Sequence, residues 1–248
     1  MLITVINPNT SGSMTRSIER CARVVAAPGT TVRAVHPAMG PASVESHYDE
    51  ALAVPGLLAE IAEGERAGSD GYLIACFGDP GLDAARELAR GPVLGIAEAA
   101  MHTASFLGRG FSVVTTLGRT RGRALDLAHR YGMERHCRGV HACEIAVLEL
   151  DGDPEAFKTI AKACRTALER DGSDAVVLGC AGMSELCARL TEELEVPVID
   201  GVASGVLLVQ SLVTLGLRTG DRGEFSAPPP KPYSGQLAGF GLPGSAAP

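Results

Sequence analysis

Two short stretches of this chain are near copies of each other, and they constrain the fold more than any other feature. Asp70–Gly78 reads DGYLIACFG and Asp174–Gly182 reads DAVVLGCAG, so each is an apolar run ending in Cys-x-Gly. The stretches LITVINPNT and FSVVTTLGR, which open the two halves, also match. This self-similarity predicts a duplicated unit whose copies are related by a pseudo-two-fold axis, with Cys76 and Cys180 opposite one another.

Short β-branched runs alternate along the chain with longer segments rich in Ala, Leu, Glu and Arg. Continuously apolar strands that alternate with helices predict a parallel sheet covered on both faces, hence an α/β fold. The predicted strands are Leu2–Ile6, Thr31–Ala34, Gly71–Ala75, Val93–Gly95, Phe111–Thr115, Gly139–Ala142, Ala175–Gly179 and Val196–Asp200. The predicted helices are Ser13–Val25, Tyr48–Ala67, Gly81–Ala89, Glu98–Leu107, Arg119–Tyr131, Pro154–Asp171, Met183–Leu194 and Val202–Leu215.

The predicted organisation is two similar α/β lobes followed by a tail. The first half covers residues 1–105, with room for a C-terminal segment to join it, and the second half covers residues 106–215. Residues 216–248 are rich in Pro, Gly, Ser and Ala and lack a helical period. Such a composition predicts an extended, partly disordered tail.

Composition and charge exclude several classes of function. The 248 residues carry a net charge of −7 and contain no basic run, so nucleic acid is not an expected partner. Since no apolar stretch reaches the roughly 18 residues that a span needs, we expect no membrane insertion. The first residues read as a strand rather than a leader, and the seven cysteines are an odd number. These features predict a reduced, cytoplasmic protein whose cysteines are thiols.

Cys76 and Cys180 each lie at the carboxyl end of a predicted strand, where parallel sheets bind ligands. Each precedes a predicted helix, whose amino terminus stabilises a thiolate and lowers a cysteine pKa to about 3.5–7.5. A buried cysteine that only packs is the usual alternative, and we expect it for the helical cysteines Cys21, Cys164 and Cys187. The matching positions of Cys76 and Cys180 favour chemistry instead.

The other strand ends supply candidate substrate contacts. Asn9 follows the first strand, two threonines follow the fifth, and the polar loop Gly40–Ala51 is positioned to close over the mouth of a pocket. Asp79 serves either a turn with Pro80 or the substrate. The full set of predicted substrate-binding residues is Asn9, Ser43, Phe77, Gly78, Thr115, Thr116, Ala181 and Gly182.

The stretch RHCRGVHAC contains four side chains of metal-ligand type, at His136, Cys137, His141 and Cys143. Zinc sites usually pair C-x2-C with H-x3–5-H, a spacing that this stretch lacks. We therefore expect a helix end and a strand here, and no metal site.

Two thiols that face one carbon acid can invert it. A thiolate removes the proton from one side while a thiol returns a proton from the other, and reversing the reaction exchanges the two roles. No cofactor is needed when neighbouring carbonyls stabilise the carbanion and backbone N–H groups stabilise the enolate oxygen. Because one sulfur must be ionised and the other protonated, the pair titrates as a unit.

Four motifs together resemble the hydantoin/allantoin racemases of the aspartate/glutamate racemase superfamily: INPNTS, ACFGDPG, GIAEAAMH and LGCAGM. The resemblance implies two pseudo-symmetric lobes with the active site in the cleft between them, and it makes Cys76 and Cys180 catalytic. It also implies racemisation of 5-substituted hydantoins at C5, or of allantoin, without a cofactor. Tetramers or hexamers are the assemblies that it suggests.

Three other functions stay open at this point. Single-cysteine decarboxylases belong to the same superfamily, although both thiols are present here. Maleate-type cis–trans isomerases use two cysteines but are expected to need cationic or polar contacts for two carboxylates. The third is a non-catalytic protein that binds a ligand on the same scaffold.

Overall fold

The computed structural model describes residues 1–150 and 155–242. Within them, eight strands form two four-stranded parallel sheets: β1 (Leu2–Ile6), β2 (Thr31–Val35), β3 (Gly71–Ile74), β4 (Val93–Gly95), β5 (Phe111–Thr115), β6 (Cys137–Ala142), β7 (Ala175–Leu178) and β8 (Val198–Ile199). The strand orders are β2-β1-β3-β4 and β6-β5-β7-β8, so the two sheets have the same topology. The predicted α/β fold with two pseudo-symmetric parallel sheets is confirmed.

In the described ranges, seven α-helices connect these strands and an eighth follows β8: α1 (Gly12–Val25), α2 (His47–Arg66), α3 (Leu82–Leu88), α4 (Ile96–Ser105), α5 (Arg121–Arg130), α6 (Ala156–Asp171), α7 (Cys187–Leu194) and α8 (Gly201–Thr214). Several begin at a polar side chain that accepts an otherwise unpaired backbone N–H group. Ser46 accepts from Asp49 at the start of α2, and Asp200 accepts from Val202 and Ala203 at the start of α8. None of the helices in the described ranges is long and apolar enough to cross a membrane.

The central strands of both sheets share one hydrophobic core. Ile3 and Val5 of β1 belong to the same buried cluster as Val113 of β5 and Val177 of β7. Burying each such aliphatic side chain stabilises the fold by about 1.5–3 kcal/mol relative to leaving it exposed to water. The helices α1 and α4 both pack on α8 in this core, and α4 also contacts β7. The shared core therefore fixes the two sheets relative to one another.

Helix α8 follows the last strand of the second sheet but packs against the first. Gly205 approaches Leu73 of β3 so closely that a Cβ at this position would lie 2.3 Å from the leucine Cδ1. The first half of the chain thus has a C-terminal segment packed on it. We propose, accordingly, that the lobe formed by residues 1–105 includes α8.

The predicted element boundaries differ from the structure at a few ends. The segment Met183–Leu194 was expected to be one helix, whereas a 3-10 helix over Ala181–Leu186 precedes α7. Strand β6 begins two residues earlier than predicted, at Cys137. In the tail, 3-10 turns occupy Gly223–Phe225 and Gly235–Phe240. Pro154, the predicted start of the sixth helix, lies outside the described residues.

Candidate active site

A cavity of about 190 Å³ lies between the two sheets and is lined by residues from both halves. The carboxyl ends of β1, β3, β5 and β7 meet there, because Ile6 pairs beside Ile74 and Val114 pairs beside Leu178. Cys76 and Cys180 follow β3 and β7, and both line the cavity. The structure thus brings the two predicted catalytic thiols to one cavity.

The Cys76 sulfur lies in a tight turn at the end of β3. The Asp79 amide donates to the Cys76 carbonyl at 2.9 Å, and the Gly78 N–H is directed at the Cys76 sulfur. Asp79 has a φ of 44°, a left-handed conformation that aspartate tolerates better than most residues. This turn is what directs the Cys76 side chain into the cavity.

Cys180 lies in an equivalent turn at the end of β7. The Met183 amide donates to the Cys180 carbonyl at 3.1 Å, and the Gly182 N–H donates to the Cys180 sulfur at 3.4 Å. Cys180 is also the residue that caps the 3-10 helix over Ala181–Leu186. Each sulfur therefore faces the backbone N–H of the glycine two residues later.

The expectation of a lowered thiol pKa is wrong for Cys76. Burial raises its pKa to about 12, and the opposing effect of the Gly78 N–H is smaller. Negative charge on Cys180, Asp79 or Glu50 raises it further. The physical reason for the error is that no helix follows Cys76 directly, since α3 begins only at Leu82. Removal from water therefore dominates over the stabilisation of a thiolate.

Asp79 supports helix α4. From the sequence, either a turn with Pro80 or a contact with the substrate was open for this residue. Its carboxylate accepts from the amides of Ala97 at 3.0 Å and Glu98 at 2.9 Å, and from the Tyr131 hydroxyl at 2.7 Å. The carboxyl group lies against Gly95, where a Cβ would be 2.1 Å from its Cγ. Asp79 therefore ties the Cys76 turn to α4 and does not line the cavity.

Most of the predicted substrate-binding residues line the cavity: Asn9, Phe77, Gly78, Thr115, Thr116 and Ala181. Ser43 and Gly182 do not, because the Ser43 hydroxyl turns to Glu45 at 2.8 Å and Gly182 packs towards Leu150. The Asn9 amide oxygen accepts from Asn7 and Ser11, which leaves its N–H₂ group towards Met14. Asn9 is thus fixed to present donors.

Sequence reasoning missed the charged residues of the cavity wall. Glu45, His47 and Glu50 come from the polar loop and the start of α2, and Arg119 and Arg123 come from the start of the second half. The Glu45 carboxylate accepts from the Val147 amide at 2.8 Å, so the loop of the first half is bonded to the second half. The polar loop Gly40–Ala51 thus forms part of the cavity wall and contributes Glu45, His47 and Glu50 to it.

The stretch His136–Cys143 has other partners than a metal. The His141 Nε2 lies 2.7 Å from the Asp171 carboxylate, and the Cys143 thiol donates to the Thr116 carbonyl at 3.7 Å. In the part of the chain that the structure describes, no three His, Cys, Asp or Glu side chains are grouped to hold a metal ion. The strand predicted for this stretch is present as β6, whereas the predicted helix end is a turn, because α5 already ends at Arg130.

Comparison with known proteins gives the family. The Asp/Glu/hydantoin racemase family matches residues 3–209. This chain belongs to that family. It is 46% identical to a hydantoin racemase of Pseudomonas sp. (strain NS671), over 97% of each chain, and 47% identical to a hydantoin racemase of Rhizobium meliloti, over 95% of this chain and 98% of the relative.

A solved structure of allantoin racemase from Klebsiella pneumoniae superposes on this chain with a TM-score of 0.95. The two are 51% identical, and the match covers 97% of this chain and 99% of the other. Family membership together with these relatives identifies the enzyme class as an isomerase that acts as a racemase.

Proposed function

We propose that this racemase inverts C5 of 5-substituted hydantoins, with Cys76 and Cys180 as the two bases. The observation that carries the proposal is that the two thiols end equivalent strands and line one cavity. One thiolate removes the C5 proton, and the electron pair passes to the adjacent ring carbonyl to form an enolate. The opposite thiol then donates its proton to the other face of C5, which leaves that sulfur as the thiolate.

The raised pKa of Cys76 makes this thiol a stronger base and lowers the fraction of it that is ionised. The C5 proton of a hydantoin is only weakly acidic, so a stronger base has a larger driving force for removing it, whereas the population of thiolate is largest when the pKa lies near the operating pH. Burial that raises the pKa of Cys76 to about 12 makes its thiolate a strong base. Because a charge on Cys180 raises the Cys76 pKa, the two sulfurs avoid being ionised together.

The cavity wall fits a neutral cyclic ureide. Asn9, Thr115 and Thr116 are buried, uncharged hydrogen-bonding residues on the wall. Of the two arginines on the wall, Arg123 is paired with Glu50 at 2.5 Å, so the wall does not offer two free arginines to a dicarboxylate. These contacts favour a hydantoin ring over the dicarboxylates of maleate-type isomerases, and the curated relatives named above are hydantoin racemases.

Allantoin is the second candidate substrate, because it is itself a hydantoin with a ureido group on C5. Two observations favour it: the similarity to the allantoin racemase structure, and the polar side chains of Glu45, His47 and Arg119 on the cavity wall. A ureido group has several N–H donors and a carbonyl acceptor for such side chains. The two-thiol mechanism is the same for both substrates.

Polarimetry on pure enantiomers tests the proposal. L-5-benzylhydantoin, L-5-isopropylhydantoin and one enantiomer of allantoin are incubated with the enzyme without added cofactor, beside samples without enzyme. At least one substrate is expected to lose its optical rotation faster than its enzyme-free control, and a chelator is expected to leave the rate unchanged. A panel in which no substrate loses rotation faster than its control contradicts the proposal and favours a non-catalytic binding protein.

The proposed reaction has consequences for compartment and assembly. Both sulfurs must remain reduced, which places the enzyme in a reducing compartment such as the cytoplasm. A tetramer or hexamer, as the family resemblance suggests, belongs to the same proposal. Light scattering on the purified full-length chain measures that mass directly.

A further inference from the structure

The turns of the two thiols match, but the structures that follow them do not. After Cys180 the chain continues directly into the 3-10 helix Ala181–Leu186 and then α7. After Cys76 the backbone takes a left-handed conformation at Asp79, and α3 begins only at Leu82. A 3-10 helix therefore follows the Cys180 turn directly and supports it. The Cys76 turn has no helix directly after it and is supported by other parts of the chain.

Arg123 provides such a contact from the opposite half. Its Nη2 and Nε donate to the Gly78 carbonyl at 2.8 Å and 3.2 Å, and its Nη2 also donates to the Glu50 carboxylate at 2.5 Å. The Arg123 and Glu50 side chains are only 30% and 17% exposed, which limits competition from water. The planar guanidinium thus binds the Gly78 carbonyl of the Cys76 turn, and the Glu50 carboxylate fixes the orientation of the guanidinium.

Among the described residues, different side chains lie beside Gly182, the equivalent glycine of the Cys180 turn. The alignment of LITVINPNT with FSVVTTLGR, extended along the chain, places Arg123 at the position of Met14. A Cβ on Gly182 would lie 2.9 Å from Leu150 Cδ1 and 3.7 Å from Met14 Cε, whereas a Cβ on Gly78 would lie 3.8 Å from Glu50 Cδ. In the described residues, Glu50 of the charged pair thus lies beside Gly78, whereas the apolar side chains of Leu150 and Met14 lie beside Gly182.

We propose that Arg123 is a positioning residue for Cys76, and that it acts by fixing Gly78 so that the glycine N–H keeps facing the sulfur. Glycine has the widest backbone freedom of any residue, so an unheld Gly78 would sample orientations in which this N–H turns away. The inference rests on the proposed two-thiol function. Under this proposal Arg123, in the second half of the chain, positions Cys76 in the first half.

Single-cysteine variants isolate the two bases. In a Cys180→Ser background, exchange of the C5 hydrogen with deuterium from D₂O reports on Cys76, and in a Cys76→Ser background it reports on Cys180. Arg123→Met, which copies the Met14 side, is expected to slow exchange about tenfold or more in the first background, because a charge-assisted hydrogen bond is lost. Because Arg123 also lines the shared cavity, a smaller loss that comes from substrate binding is expected in the second background.

Two further variants separate positioning from a general loss of structure. Arg123→Lys keeps the charge and one donor, so it is expected to recover part of the exchange in the Cys180→Ser background. Arg130→Gln breaks another ion pair between α5 and the first half, the one with Asp83, and is expected to leave exchange unchanged in both backgrounds. Equal losses from Arg123→Met in the two backgrounds, or no loss in the first, would overturn the proposal.

A substrate-free measurement keeps this test apart from the proposed function. Iodoacetamide reacts with the thiolate, and mass spectrometry of the peptides gives separate rates for Cys76 and Cys180 in the otherwise wild-type chain. Arg123→Met is expected to slow alkylation of Cys76 about tenfold and that of Cys180 less than about twofold. An unchanged or faster reaction at Cys76 would contradict the positioning role even if no hydantoin were racemised.

Discussion

At the scale of single residues, two glycines determine the hydrogen bonding of the two reactive sulfurs. Gly78 and Gly182 each direct a backbone N–H at the sulfur of the cysteine two residues before. A hydrogen bond of this kind stabilises the thiolate form without supplying a proton of its own to C5. Burial acts in the opposite direction and dominates at Cys76, so this base is strong but is ionised in only a small fraction of molecules.

The buried carboxyl of Asp79 makes folding stability depend on pH. Burial raises its pKa from 3.8 to about 6, while its hydrogen bonds from Tyr131, Ala97 and Glu98 oppose the rise. The folded state therefore keeps the Asp79 proton at pH values where the unfolded chain has released it. Consequently the Asp79 contribution to the free energy of unfolding falls as pH rises from about 4 to about 6, by roughly 3 kcal/mol in all.

Asp79→Asn removes this titration. Because the amide offers one acceptor oxygen in place of two, we also expect a pH-independent loss of about 1–3 kcal/mol in the free energy of unfolding. This loss adds to the pH-dependent difference that the titration causes. Urea unfolding of both proteins at several pH values between about 4 and 7 gives the difference in the free energy of unfolding. That difference is expected to shrink as pH rises, and a pH-independent difference would contradict the buried, protonated carboxyl.

At the scale of elements, two glycines in the first turn of a helix predict opposite effects of one substitution. A Cβ on Gly201, which begins α8, would lie 2.6 Å from the backbone oxygen of Ile96. A Cβ on Gly122, in α5, would meet nothing within 4 Å. Gly201→Ala is therefore expected to lower the free energy of unfolding by about 1–3 kcal/mol, because α8 must move away from α4.

Gly122→Ala is the matched control for that substitution. It is expected to raise the free energy of unfolding by up to about 1 kcal/mol, since alanine loses less backbone freedom than glycine on forming a helix. Thermal or urea unfolding of the two variants compares them directly. Similar effects of the two substitutions would show that the contact between α8 and α4 is looser than described here.

The elements themselves were predictable because their signals are local. Continuous apolar runs such as Gly71–Ile74 and Ala175–Leu178 indicate buried parallel strands, and the matching cysteines mark their carboxyl ends. The break between the 3-10 helix at Ala181 and α7 was not predictable, because the residues on both sides favour a helix. Propensity does not distinguish the two helix types over so short a segment.

The residues that were missed depend on distant parts of the chain. Arg123 reaches Gly78 only because α5 of the second half packs beside the Cys76 turn, and a local pattern does not contain that approach. One signal was present, namely that arginine stands where the other half has Met14. The sequence does not distinguish Ser43 from Glu45 as the cavity residue, because loop side-chain directions are not periodic. The raised pKa of Cys76 likewise follows from tertiary burial.

At the scale of the whole molecule, duplication explains how one chain brings two equivalent thiols to one cavity. Two sheets of identical strand order share a core, so equivalent strand ends face the same cavity. The duplication is not exact, since among the described residues Glu50 lies beside Gly78 whereas Leu150 and Met14 lie beside Gly182. The equilibrium constant of a racemisation is one. Such asymmetry can therefore give the two proposed bases different pKa values, but it cannot favour either enantiomer at equilibrium.

The most direct test of the two-base account is the fate of the C5 hydrogen in Cys76→Ser and Cys180→Ser. Each pure enantiomer of 5-isopropylhydantoin is incubated with each variant in D₂O, and NMR follows the C5 proton while polarimetry follows inversion. We predict that neither variant racemises, that each exchanges the proton of one enantiomer only, and that the two variants act on opposite enantiomers. Full racemisation by both variants, or exchange of the same enantiomer by both, would contradict the account.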